Sequence, residues 1–236
     1  MNSTLTDNIL KNDLFRVLKE AGASLMGIGD MSPFVSDEMN IGVSVAIPVT
    51  DKITKDLLTA PTEEYIRAYY DLNDKLNEIV TRGAEYLCSL GYHAVPLTTD
   101  VVKSDSENRT LIPHKTFATR AGLGWIGKSC LLVTEELGSA IRISSLLTDA
   151  PLPCAEPILE SKCGDCTICV DACPVQVLKN KLWSTGVSRE EIMDQNGCDQ
   201  ALGSITKRAT GIDDEMCGKC FAVCPYTVRR LEQNSL

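Results

Sequence analysis

The chain holds 236 residues, 44% of them hydrophobic and 5% aromatic, enough for one large domain or two modest ones with cores of their own. With 32 acidic against 23 basic residues the net charge is −9, which argues against a broad nucleic-acid surface, because phosphate contacts need clustered Lys and Arg. No apolar run approaches the roughly 20 residues that cross a bilayer, and Met1-Asn2-Ser3-Thr4 lacks the basic and apolar stretches of a signal peptide, so a cytoplasmic protein is expected.

In chain order, residues 6–21 read as a helix, with Thr6 or Asp7 as cap, Leu10, Leu14, Val17 and Ala21 at helical spacing, and Gly22 as its stop. Leu25 to Gly29 and Ile41 to Pro48 read as strands, the second by its alternating Ile41, Val43, Val45 and Ile47. Thr62 to Leu90 is a long helical pattern. Thr62 caps it, Tyr69, Leu72, Leu76, Ile79, Gly83, Leu87 and Leu90 share one face, and Gly91 ends it. Tyr92 to Leu97 is a short strand, and the polar stretch from Thr98 to Asn108 is a surface loop or lid.

His114 to Ala121 has a helical pattern and leads into Gly122-Leu-Gly124-Trp125-Ile-Gly127-Lys128-Ser129. This loop matches two phosphate-binding patterns literally, the dinucleotide fingerprint and the P-loop. Both need a strand before the loop and a helix after it, so that the phosphate meets a helix N-terminus. Here a helical stretch precedes and the apolar run Cys130-Leu-Leu-Val133 follows, and Trp125 and Ile126 are bulky for a phosphate cradle. A P-loop is therefore disfavoured, and a dinucleotide site more so. Two others remain: a backbone-rich loop that lets a large flat group approach, and a tight turn. Cys130 to Thr134 and Ala140 to Thr148 are expected to form a strand pair around Glu135 to Ser139. A proline-rich connector, Asp149 to Lys162, follows and suggests domains at 1–150 and 151–236.

Beyond it stands Cys163-Gly-Asp-Cys166-Thr-Ile-Cys169-Val-Asp-Ala-Cys173-Pro174. This C-x2-C-x2-C-x3-C-P spacing is the bacterial ferredoxin run: three thiolates hold one cubane and the fourth serves another cluster. Cys217-Gly-Lys-Cys220-Phe-Ala-Val-Cys224-Pro225 repeats its end, and Cys198 supplies the missing front ligand. In the crossed pattern, Cys163, Cys166, Cys169 and Cys224 hold one [4Fe–4S] cluster, and Cys173, Cys198, Cys217 and Cys220 the other. Zinc prefers separated ligand pairs around a tetrahedron, and disulfides belong to exported chains. Of the remaining thiols, Cys88 and Cys130 are expected to pack in the core, and Cys154 is either a spare ligand, a redox thiol or inert.

The pairing of His114-Lys115-x4-Arg120-Ala-Gly-Leu-Gly-Trp-Ile-Gly-Lys128 with Leu146-Leu-Thr-Asp149 and the two cysteine motifs resembles the epoxyqueuosine reductase family, from about residue 93 to Pro225. The resemblance implies an α+β fold: a nitroreductase-like α/β domain of the cobalamin-binding type, then a ferredoxin-like double-cluster domain, a plan shared with reductive dehalogenases. It implies that clusters pass single electrons to cobalt. Gly122, Gly124, Trp125, Gly127 and Lys128 would then line the corrin, and His114, Lys115 and Arg120 would meet its propionamides or the substrate. Two departures stand out. Where the family carries an Asp-x-x-Pro proton donor, Asn108 of Asn-Arg-Thr-Leu111 aligns, with Glu107 and Asp105 out of register. The sequence also runs only a little past Pro225, without the helical-repeat extension that many members use on tRNA.

Three functions follow. One is a cobalamin-dependent reductase fed by a low-potential donor of ferredoxin or flavodoxin type. The second is an electron carrier or reductive activator for a separate corrinoid or flavin protein. The third is the P-loop ATPase. Air-sensitive clusters also suggest an anaerobic host.

Overall fold

The computed structural model describes residues 3–35 and 38–234, with side chains from residue 7 onward. The chain forms two compact units, each assembled from three segments: Met1–Ile47, Leu72–Leu123 and Arg142–Ile158 in the first, Pro48–Asp71, Gly124–Ile141 and Leu159–Leu236 in the second.

The first unit is a mixed sheet with helices. In chain order it holds α1 (Ser3–Glu20), β1 (Leu25–Asp30), β2 (Ile41–Pro48), most of α3, β3 (Ala94–Pro96), α4 (His114–Arg120) and β6 (Ile141–Thr148). The helix α1 starts before the expected residue 6, and the Thr6 side chain lies outside the described residues. The sheet order is β1-β2-β6-β3. β1 and β2 run antiparallel, with Ile28 opposite Val43. Leu14 and Leu18 of α1, Ile28, Val43, Val45, Ile79, Leu87 and Leu146 form one buried core, as period-3.6 and period-2 patterning requires. Burying a leucine or isoleucine side chain of this kind contributes roughly 1.5–3 kcal/mol.

The helix α3 (Glu63–Ser89) gives Glu63–Asp71 to the second unit and Leu72–Ser89 to the first. Thr62 does cap it, its hydroxyl accepting from the Tyr65 N–H at 3.2 Å. Leu76, Ile79 and Leu87 are buried as expected, but Leu90 and Cys88 are exposed. Cys88 lies one residue past Leu87, about 100° around the helix from the buried stripe, and Leu90 lies beyond its last turn.

α4 lies very close over β1. A Cβ on Gly29 would sit 2.5 Å from the Arg120 carbonyl carbon, and one on Gly27 2.5 Å from the Ala121 oxygen. The two glycines of β1 are therefore the condition for seating α4, and with it His114 and Arg120.

The second unit holds α2 (Asp51–Asp56), β4 (Trp125–Ile126), β5 (Leu132–Val133), α5 (Ile168–Asp171), α6 (Arg189–Ile192), α7 (Gln195–Thr210), α8 (Lys219–Ala222) and α9 (Pro225–Gln233). The expected pairing of Cys130–Thr134 with Ala140–Thr148 does not form. β5 pairs antiparallel with β4, and β6 is taken by the other sheet. Cys130 does not open a strand. It has φ +61° in the turn between β4 and β5, where it is buried against Cys173, Val177 and Ile192.

α7 is bounded by its own chemistry. The Asp194 carboxylate accepts from Gly197 N–H at 3.1 Å, and Gly211 ends the helix in the left-handed conformation. α9 is held by side chains. The Thr227 hydroxyl accepts from the buried Ser139 and Ala140 N–H groups at 2.9 and 3.2 Å. Arg230, 5% exposed, donates to the carbonyls of Leu137 (3.0 Å), Ala140 (3.2 Å) and Val49 (3.1 Å) and faces Asp51 at 3.3 Å. Gly138, at φ +71°, admits this approach: a Cβ there would lie 2.3 Å from the Thr227 nitrogen.

Candidate metal centre

The two cysteine motifs fold alike. α5 and α8 are each four residues long, and each carries a cysteine at its second position, Cys169 and Cys220. Four residues later come Cys173-Pro174 and Cys224-Pro225. Cys224 caps α9 with Pro225 at its first position, where a missing N–H forfeits no helical bond. The eighth cysteine, Cys198, sits on the first turn of α7.

The electrostatic neighbours of these thiols sort them into two sets. Burial pushes Cys169 up to about 11, and Cys163, Cys224 and Cys166 add to the rise. Burial also raises Cys224, with Cys163 and Cys166 as its thiol neighbours. On the other side, burial takes Cys198 to about 11, with Asp199, Cys217 and Cys173 behind it. Cys217 is raised by burial and then by Cys173. Burial raises Cys220 further still, and after burial its neighbours are Cys217, Cys169, Cys198 and Cys173. Cys169 is its single link to the other set.

Half-buried thiols of this kind are protonated at neutral pH when no cation is near. Iron supplies that charge, drives deprotonation and accepts four thiolates per cubane. Two sets of four cysteines fit two such cubanes. Among the described residues no three His, Cys, Asp or Glu side chains converge as a single ion requires. A thiolate-bound zinc at ~2.3 Å needs that convergence.

The other candidate residues divide between the units. In the first, His114 opens α4 with Nδ1 3.2 Å from the Ser145 hydroxyl. Burial, and then Arg142, lower its pKa to about 4, so the ring is neutral at pH 7. Lys115 follows on the same turn. Arg120 is committed: Nε donates to the Asp30 carbonyl at 2.7 Å, and Nη2 pairs with the Asp30 carboxylate at 3.1 Å. Gly122 has φ +70°. The segment aligned to the missing proton donor is a turn closed by Asp105, whose carboxylate accepts from the N–H groups of Glu107 and Arg109. Asn108 takes φ +56° there, and Glu107 pairs with Arg109 at 3.0 Å.

In the second unit, the glycine loop becomes the β4–β5 hairpin. Gly127 N–H donates to Leu131 O and accepts Cys130 N–H through its own carbonyl, both at 2.9 Å. Lys128 and Ser129 lie in that turn, with no helix after them, so the P-loop and dinucleotide readings are overturned. A Cβ on Gly124 would meet the Val133 oxygen at 2.1 Å, so this glycine serves the hairpin itself. Lys128 is 4% exposed and makes no hydrogen bond or ion pair among the described residues. Trp125 is fully buried, and its Nε1 has no partner there either. Its ring stacks edge-on with Tyr226 at 5.0 Å and lies under the Lys162 ammonium at 5.4 Å. Lys162 and Tyr226 were not singled out by sequence reasoning. Their positions, one before Cys163 and two after Cys224, were the available signal. Cys154 is exposed, its thiol directed at Leu152 O at 3.7 Å.

Residues 162–227, a span that contains all eight motif cysteines, match the family description "4Fe-4S double cluster binding domain". The chain is similar to epoxyqueuosine reductases. It is 36% identical to that of Synechococcus sp. (strain CC9605) over 135 residues, 53% of this chain and 39% of the relative. It is 35% identical to that of Vibrio cholerae over 123 residues, 49% and 31% of the two chains. The chain thus spans well under half the length of the curated relatives it matches. The fold is also that of solved structures. A reductive dehalogenase, whose structure is described as suggesting a mechanism for B12-dependent dehalogenation, matches with TM-score 0.69 at 18% identity, over 94% of this chain and 33% of the other. Epoxyqueuosine reductase from Bacillus subtilis matches with TM-score 0.60 at 19% identity, over 93% and 66%. Among the described residues no helix is long and apolar enough to cross a membrane.

Proposed function

We propose that the chain is an iron–sulfur reductase in which one [4Fe–4S] cluster is held by Cys163, Cys166, Cys169 and Cys224 and a second by Cys173, Cys198, Cys217 and Cys220, and that these clusters feed single electrons to a bound corrinoid. The observation that carries it is the grouping of the motif thiols by their electrostatic neighbours into two sets of four, each borrowing one cysteine from the other motif. Likeness to a B12-dependent dehalogenase and to epoxyqueuosine reductases supports the corrinoid. So does Lys128, a 4% exposed side chain with no hydrogen bond or ion pair among the described residues. A corrinoid, when bound, supplies the low-valent cobalt that cleaves a carbon–oxygen or carbon–halogen bond reductively.

The chain's own residues do the rest. The thiolates would hold the two clusters, with Cys220 of one quartet neighbouring Cys169 of the other. Neutral His114, donating to or accepting from Ser145, offers an uncharged polar group. A soluble low-potential donor of ferredoxin or flavodoxin type supplies electrons, in the cytoplasm.

A second reading is an electron carrier or reductive activator for a separate corrinoid or flavin protein. Two observations favour it: Gly124 is explained by hairpin packing and Arg120 by Asp30, so neither needs a bound group. Anaerobic purification followed by elemental analysis and cobalamin titration separates the two. Roughly eight irons and eight sulfides per chain with a shifted corrin spectrum support the reductase. The same iron without any corrin response leaves the carrier. A colourless, zinc-loaded protein ends both.

A further inference from the structure

Trp125 carries a donor with nothing to donate to. Its indole is fully buried, and Nε1 has no acceptor among the described residues. A buried N–H left without a partner costs roughly 1–3 kcal/mol, so such groups are normally satisfied by something. The surroundings point to what that is. The ring is bracketed by Lys162 and Tyr226, the first immediately before Cys163 and the second two residues after Cys224. On the same hairpin, a Cβ on Gly127 would lie 3.5 Å from the Cys163 sulfur. The side chains that flank the ring thus come from residues within two positions of Cys163 and Cys224, the hairpin that carries the orphan donor passes close to the Cys163 sulfur, and the acceptors that the assembled first cluster brings are sulfurs.

We propose that the Trp125 indole N–H donates a hydrogen bond to a sulfur of the cluster held by Cys163, Cys166, Cys169 and Cys224, and that Trp125 is thereby a positioning residue that raises this cluster's reduction potential above that of the second. This rests on the two-cluster reading. A hydrogen bond to sulfur stabilises the reduced cluster, which carries one more negative charge, more than the oxidised one. The second set has its own tryptophan nearby, Trp183, packed against the buried group that includes Cys173 and Cys130. Nε1 of Trp183 is not among the buried orphans. The chain has 2 tryptophans, so each serves as the control for the other.

The experiment uses the full chain, loaded anaerobically. In the first arm the protein is unaltered except for 15N in its indoles, and the reduced clusters are examined by pulsed EPR. We expect a 15N hyperfine coupling that persists in Trp183→Phe. In the second arm, Trp125→Phe, which keeps an aromatic ring of similar shape, is titrated potentiometrically. One cluster should become harder to reduce, its oxidised-to-reduced ratio at fixed potential rising about tenfold, which is about 59 mV for one electron. The other cluster should not move. Full iron content with no 15N coupling and unchanged potentials overturns the role of Trp125 while leaving the clusters in place, and assigns the indole to water. Absence of iron from the unaltered protein overturns the two-cluster reading instead. If Trp125→Phe fails to load iron, the labelling arm decides alone.

Discussion

Replacing Arg230 by methionine tests how the end of the chain is secured. The guanidinium donates to Leu137 O, Ala140 O and Val49 O and faces Asp51 from a 5% exposed position. Methionine fills much of the same volume but donates nothing. Ala140 O keeps its bond from Val49 N–H at 3.0 Å and Val49 O keeps one from the Thr54 hydroxyl at 3.3 Å, so Leu137 O and the Asp51 carboxylate bear most of the loss. Removing one partner of a buried ion pair costs about 3–5 kcal/mol. The Asp51 side chain is 32% exposed and partly solvated, which puts the expectation near the low end, about 3 kcal/mol. At roughly 2–4 °C per kcal/mol for a chain of this size, the midpoint should fall by about 6–12 °C. The assay is thermal unfolding under argon, followed by far-UV dichroism and by cluster absorbance. Arg230→Lys should recover only part of the loss, because one ammonium cannot reproduce the fork. A midpoint for the methionine variant within about 2 °C of the parent would refute the reasoning and mark α9 as held by apolar packing alone.

Cys198→Ser should remove one cluster and leave the other, lowering iron from roughly eight to roughly four per chain; loss of all iron would contradict two separable sets. Thr227→Val deletes the acceptor shared by Ser139 and Ala140 N–H, and should cost about 2–4 kcal/mol, read as a lower urea midpoint. Gly124→Ala should prevent the β4–β5 hairpin from closing, because the added methyl would overlap the Val133 oxygen; new tryptic cleavage after Lys128 would report it. The pKa of His114 is depressed when folded, so its contribution to stability is present above the unfolded value of about 6.5 and lost as pH falls toward 4. The loss should reach up to about 3 kcal/mol at the acid end. His114→Gln should flatten the urea midpoint between pH 6.5 and 4 relative to the parent, and an unchanged slope would disprove the assignment.

Much of the architecture was legible because its signals are local. Val43, Val45 and Ile47 alternate, Thr62 precedes a long apolar stripe, and the cysteine spacing names its own chemistry. What escaped depends on distant backbone. The Cys130–Val133 run has strand composition, but its partner is β4 and not β6, a choice made by Gly124 admitting Val133. The glycine loop matched phosphate motifs in letters only; the turn at Gly127–Cys130 is set by hydrogen bonds that no pattern of glycines records. α7 went unpredicted although Asp194 and Gly211 bound it, because its apolar spacing is weak and Gly197 and Gly203 interrupt it. Nothing in the sequence singles out Arg230; its burial follows from carbonyls almost a hundred residues earlier and more.

The proposed exchange of one cysteine between the motifs has a consequence for biogenesis. While the polypeptide is being made, Cys163, Cys166 and Cys169 leave the ribosome well ahead of Cys224. At about 5–20 residues per second the delay is roughly 3–12 s. For nearly all of it neither quartet is complete, since the second also waits for Cys217 and Cys220. Metal insertion into a nascent chain is thereby postponed until Cys220 and Cys224 have been made. A scaffold that delivers preformed cubanes therefore meets two quartets that become available within four residues of each other.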